Sequence, residues 1–135
     1  MSRKAPDIRV AAEKLLEFAL GFPEAWLDHP WGENAVKVKK KVFLFLGRPK
    51  EGLSFSCKLP DSNFEALLLP FTEPTGYGLA KSGWVTANFR EGDQPPLGLL
   101  CSWIEESYCA VAPKTLLKAL EADSSGEPSG RRKKA

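Results

Sequence analysis

From Ile8 onward the chain sets Ile8, Ala11, Ala12, Leu15 and Ala19 at spacings of three and four, with Arg9, Glu13, Lys14 and Glu17 between them. That period predicts an amphipathic helix, which Gly21 and Pro23 bring to an end. Beyond Ala25 the period falls to two. Val36 and Val38 alternate with Lys37 and Lys39; Val42-Phe43-Leu44-Phe45-Leu46 is a β-branched and aromatic run; Leu53, Phe55 and Cys57 alternate with Ser54, Ser56 and Lys58. Three successive antiparallel strands are predicted, with a short one at Ala25–Asp28 ahead of them. Turns are expected at residues 29–34, around Lys39-Lys40-Lys41, and at 47–52, where Gly and Pro concentrate.

Ser62 with Glu65 three places on has the spacing of a capping box, so a short second helix carrying Phe64, Leu67 and Leu68 is expected before Pro70. Residues 77–80 and Trp84–Phe89 flank Lys81-Ser82-Gly83, which predicts a second hairpin. Pro95-Pro96 suits a helix N-terminus, and Leu99, Leu100, Trp103, Ile104, Ser107 and Tyr108 then form one apolar-sided stripe. Pro113 opens a short closing helix with Leu116, Leu117 and Leu120. Past Leu120 periodicity ends, and the Ser, Gly, Pro and charge of residues 121–135 predict disorder. No internal repeat is visible. Tight connections between these elements favour an α+β fold: a two-layer antiparallel sheet with helices packed on it.

With 135 residues, 43% of them hydrophobic, the chain fills one core, so residues 1–120 are read as a single domain and 121–135 as a basic-ended tail. Nineteen basic and seventeen acidic side chains leave +2, so any basic surface must come from local clustering. The longest apolar runs, near residues 42–47 and 97–104, fall far short of a membrane span, and the basic start runs into an amphipathic segment. The expectation is a cytoplasmic protein with no membrane association, a monomer or weak dimer. Cys101 and Cys109 stand eight residues apart in one predicted helix, roughly 12 Å, beyond disulfide reach. All three thiols are expected reduced, with Cys57 a core side chain.

The strongest candidate for chemistry is the first hairpin tip, where Lys37, Lys39, Lys40 and Lys41 crowd one turn. Several ammonium groups on one ribbon suit phosphate contacts, although lysines there also discourage edge-to-edge strand pairing. Lys81 at the second tip would touch phosphate in the same way, with Trp84 beside it as a stacking surface or as the packing anchor of its hairpin. Arg48, Lys50 and Lys58 would extend a basic face if the register brings them together. Residues 121–135 add Arg131-Arg132-Lys133-Lys134 against Glu121, Asp123 and Glu127, either a non-specific attraction to nucleic acid or a solubilising end.

Other chemistries lack their residues. His29 is the only histidine and no Cys-x-x-Cys spacing occurs, so no zinc ligand set is visible, and nothing in the sequence activates a particular Ser or Cys. Gly76-Tyr77-Gly78 lacks the third glycine and the following helix of a nucleotide loop. Glu105 and Glu106, adjacent on a helix, read as a solvated face. No cofactor and no enzymatic activity are expected.

An ordered set of motifs supports a family likeness. Phe22-Pro23 leads to His29-Pro30-Trp31-Gly32; Val36-Lys37-Val38 precedes the Lys40–Phe45 strand; Gly76-Tyr77-Gly78 stands ahead of Lys81-x-x-Trp84; and a Pro-led helix ends in Glu106-Ser107-Tyr108. In this order they resemble the MmcQ/YjbR family over about residues 8–120. The resemblance implies a YjbR-like fold, compared with the sheet of secretion chaperones, and a double-wing DNA-binding role. Where relatives tend to carry a second polar or basic residue between the Lys and Trp, this chain has Ser82-Gly83, which leaves the second tip less charged. The reading is therefore non-specific DNA binding to the backbone through Lys37, Lys39, Lys40, Lys41, Lys81 and Trp84. Its rival is a protein- or peptide-binding, chaperone-like module, for which exposed Trp26, Trp31 and Trp84 would serve as anchors.

Overall fold

The computed structural model describes residues 8–28, 34–49, 52–76 and 78–118. Helix α1 (Ile8–Leu20) is followed by strands β1 (Ala25–Asp28), β2 (Asn34–Val38), β3 (Lys41–Gly47) and β4 (Leu53–Lys58), then by one turn of helix, α2 (Asn63–Ala66). Strand β5 (Thr72–Pro74), a 3₁₀ turn (Leu79–Ser82), β6 (Trp84–Phe89) and helix α3 (Leu97–Val111) complete the order, and residues 114–118 are again helical. All six strands form one antiparallel sheet in the order β1-β2-β3-β4-β6-β5. Helices α1 and α3 pack on one face, the expected α+β arrangement.

The core follows from the alternation. Val36, Val38, Leu44, Leu46, Leu53, Phe55, Cys57, Val85, Ala87 and Phe89 project from the sheet toward Ile8, Leu15, Leu100, Trp103, Ile104 and Tyr108. One irregularity matters. Val36 pairs with Leu44 but Lys37 pairs with Val42, so Phe43 is an extra residue on β3. Such a bulge turns two consecutive side chains to one face, and Phe43 and Leu44 are both fully buried. Phe43 thereby meets Tyr108 edge-on at 5.2 Å, while Phe22 stacks on Tyr108 at 4.6 Å.

Two predictions need correction. Residues 79–80, taken as part of a strand, belong to the 3₁₀ turn, and the partner of β6 is β5 at Thr72–Pro74. Gly78 and Gly83, with φ of 79° and 90°, bracket that turn, a backbone geometry that costs glycine little and other residues more. At Gly83 a side chain would also press on the Leu59 carbonyl. The second basic tip is therefore a short helical corner, not a hairpin. Ser62 does not cap α2 with its side chain either, because its hydroxyl is engaged elsewhere. Of the predicted turn at 29–34, Asn34 already belongs to β2, and residues 29–33, with His29 and Trp31, lie outside the described residues. So do Lys50, Tyr77, Leu120 and the tail.

Candidate nucleic-acid interface

Because the sheet is antiparallel, the start of β3, the end of β4 and the start of β6 lie at one end of it. The lysine turn and the 3₁₀ corner therefore leave the sheet at the same end, with only β4 between their strands. Lys81 is exposed there. Trp84 is not: it is 7% exposed and packs on Phe45 at 5.7 Å, so it anchors the strand and offers no stacking surface. Arg48, at the far end of β3, is remote from this edge.

The turn between β2 and β3 is tightly held. Lys39 adopts a left-handed backbone with φ of 58°, and Glu24, at the entry to β1, does so with φ of 59°. Register brings the two together, since Ala25 pairs with Val38, and Lys39 Nζ lies 2.8 Å from Glu24 Oε1. The Trp26 indole N–H donates to the Lys39 carbonyl at 2.8 Å. Lys37, directly across from Trp26, places its ammonium 5.4 Å from the indole centroid and 2.8 Å from Asp28 Oδ2. Two of the four lysines at this turn are thus already paired: Lys37 with Asp28 and Lys39 with Glu24.

The remaining two gain a neighbour that sequence reasoning missed. Lys39, Lys40 and Lys41 form one wall of an open groove of about 810 Å³, whose other wall is the end of α3, Ala110-Val111-Ala112-Pro113-Lys114. Four lysines line it with no carboxylate among the lining residues, and Lys40, Lys41 and Lys114 are all exposed. Nothing in the sequence pattern points to Lys114, because only the packing of α3 on the sheet brings it to the turn.

Helix α3 fixes this corner through three consecutive residues. The Glu106 carboxylate accepts the Asp61 and Ser62 amides at 2.9 and 3.0 Å and the Ser62 hydroxyl at 2.6 Å, so it ties down the connection from β4 to α2 and is no solvated bystander. Ser107 Oγ accepts the Lys58 amide and donates to the Phe43 carbonyl. Tyr108 donates its hydroxyl to the Pro23 carbonyl at 2.8 Å, beside the Glu24 that pairs with Lys39. Burial, with lesser contributions from Cys109 and Glu24, pushes the Tyr108 phenol up to about 12. Burial, assisted by the Glu106 carboxylate, also raises the Cys57 thiol, which suits a core side chain.

The triplet Glu106-Ser107-Tyr108, the lysine turn and Phe22-Pro23 all fall inside a match to the YjbR family over residues 20–110. The chain belongs to the YjbR family. The YjbR match takes in the whole sheet and nearly all of α3, while most of α1 and Lys114 lie beyond it. A comparison with curated proteins gives no match. Among the described residues, no helix is long and apolar enough to cross a membrane, and no group of three or more His, Cys, Asp or Glu residues is placed to hold a metal ion.

Proposed function

We propose that this YjbR-family protein binds DNA through the phosphate backbone, without catalysis, at the end of its sheet that carries Lys39, Lys40, Lys41 and Lys114. The observation that carries the reading is the groove lined by four lysines and no carboxylate. Ammonium groups so placed displace the counterions condensed on a polyanion, and that release supplies affinity without sequence information. Lys81, exposed at the same end, extends the contact as a second, weaker point. Lys37 is held by Asp28 and has a structural part; Lys39 reaches phosphate only by sharing its ammonium with Glu24.

The test is fluorescence anisotropy with two duplexes of unrelated sequence between about 50 and about 300 mM salt. Expected are closely similar affinities that fall steeply and in parallel with salt. Absence of binding at the lowest salt, or binding indifferent to salt, would overturn the reading.

A second reading, an interaction module for a protein or peptide, draws on Phe64 and Leu68, which α2 and the turn after it leave 76% and 74% exposed. Burying such side chains on a partner would contribute affinity that salt does not weaken. A partner retained at about 1 M salt favours this module, whereas release of co-purified nucleic acid favours the first reading.

A further inference from the structure

Trp26 is an unusual side chain for a sheet edge. It is 43% exposed on strand β1, yet immobilised twice: its N–H is bound to the Lys39 carbonyl at 2.8 Å, and the Lys37 ammonium rests 5.4 Å from its centroid. Asp28 in turn pins that ammonium at 2.8 Å. A large aromatic surface is therefore presented to solvent in one orientation, at the root of the turn that carries Lys39, Lys40 and Lys41. Ordering a side chain before its ligand arrives removes part of the entropic cost of binding.

We infer that the preferred ligand of this edge is single-stranded nucleic acid, with a base stacked on Trp26 while the lysine turn holds the adjoining phosphates. This rests on the polyanion reading and goes further, because a duplex and a single strand share the backbone charge but not accessible base faces. In a duplex the faces are stacked on one another, and exposing one costs a few kcal/mol. A single strand offers them at little cost, and any base fits, since every base has a π face. The neighbouring groups agree with that chemistry. Lysines flank the ring on the turn side, and the paired Asp28 leaves no unneutralised carboxylate on the strand beside it.

The bland alternative is that Trp26 only clamps the turn through its N–H bond. Phenylalanine separates the two, because it keeps a ring and loses the donor. Full-length protein is titrated with an oligo-dT strand and with a duplex of equal length at matched salt, for wild type, Trp26→Ala and Trp26→Phe, with circular dichroism verifying each fold. Wild type is expected to bind the single strand about tenfold more tightly than the duplex. Trp26→Ala should bring the single strand down to the duplex level, while Trp26→Phe, which loses the same N–H bond to the turn, keeps most of the preference. Equal or tighter duplex binding by wild type overturns this inference and leaves backbone binding standing. Equal losses in Trp26→Phe and Trp26→Ala also overturn it, assigning the ring to the clamp. Failure of wild type to bind either ligand removes the polyanion reading itself.

Discussion

The buried Ser107 hydroxyl donates to the Phe43 carbonyl at 2.6 Å, reaching from α3 into the seam of the sheet. It accepts the Lys58 amide at 2.8 Å on its other side. Leu44 pairs with Cys57, so Phe43 and Lys58 are the next opposing residues, and the helix hydroxyl bridges them where the ladder stops. The strands can therefore part at the lysine end without leaving either group dry.

Ser107→Ala would take its partner from the buried Phe43 carbonyl and from the part-buried Lys58 amide. At about 1–3 kcal/mol for each unsatisfied group, the loss should be roughly 2 kcal/mol or more in urea unfolding. Ser102→Ala, on the exposed side of the same helix, should stay within about 0.5 kcal/mol of wild type.

Glu106 makes the larger cluster, accepting two amides and a hydroxyl from Asp61 and Ser62. Because the acceptor is charged but only half-buried, Glu106→Ala is expected to cost about 2 kcal/mol, and Glu106→Gln, which keeps one acceptor oxygen, about half of that. Glu105→Ala at the exposed neighbouring position should be silent in the same unfolding curves.

At Lys39 the backbone and the ion pair pull in different directions. Both Lys39→Gly and Lys39→Ala lose the bond to Glu24, but only glycine adopts φ near 58° without cost. Thermal or urea unfolding should therefore rank Lys39→Gly above Lys39→Ala by about 1 kcal/mol.

Tyr108 gives the fold a dependence on alkaline pH. Its phenol ionises near 10 in the unfolded chain and at about 12 in the folded one, so above pH 10 the unfolded state sheds the proton first. The sign follows: stabilisation is complete below about pH 10 and is lost as pH rises toward 12. Tyr108→Phe removes the bond to Pro23 and should be about 1 kcal/mol less stable at pH 7. Its urea midpoint should then meet that of wild type near about pH 11 and lie above it by about pH 12.

Much of the fold was legible in the sequence, and the exceptions have physical reasons. The 3.6-residue period of α1 and the alternation in β2 and β4 were readable because their large apolar side chains face the common core, and β3 was readable as an unbroken apolar run, although its bulge at Phe43 was not. Residues 77–80 misled because their apolar character resembled a strand, whereas Gly78 and Gly83 supply the positive φ that closes a helical corner. The true partner strand, Thr72–Pro74, has three residues and a proline, tolerable only at a sheet edge and too short to show a period. The lysine turn was visible as a charge cluster. Its neutralisation by Asp28 and Glu24 was not, since those ion pairs depend on the register of β1 against β2. Lys114 and Glu106 were missed for a related cause: a helix pattern tells which residues face inward, not which loop arrives beside them.

The most direct measurement compares the salt dependence of duplex DNA binding for wild type, the Lys40→Ala/Lys41→Ala/Lys114→Ala variant and Lys37→Ala. The groove reading predicts that the triple variant flattens the slope by roughly 0.9 log units for each phosphate it no longer neutralises, while Lys37→Ala leaves the slope near wild type. A triple variant with wild-type affinity and slope, or a Lys37→Ala slope reduced as far as the triple variant's, would contradict it.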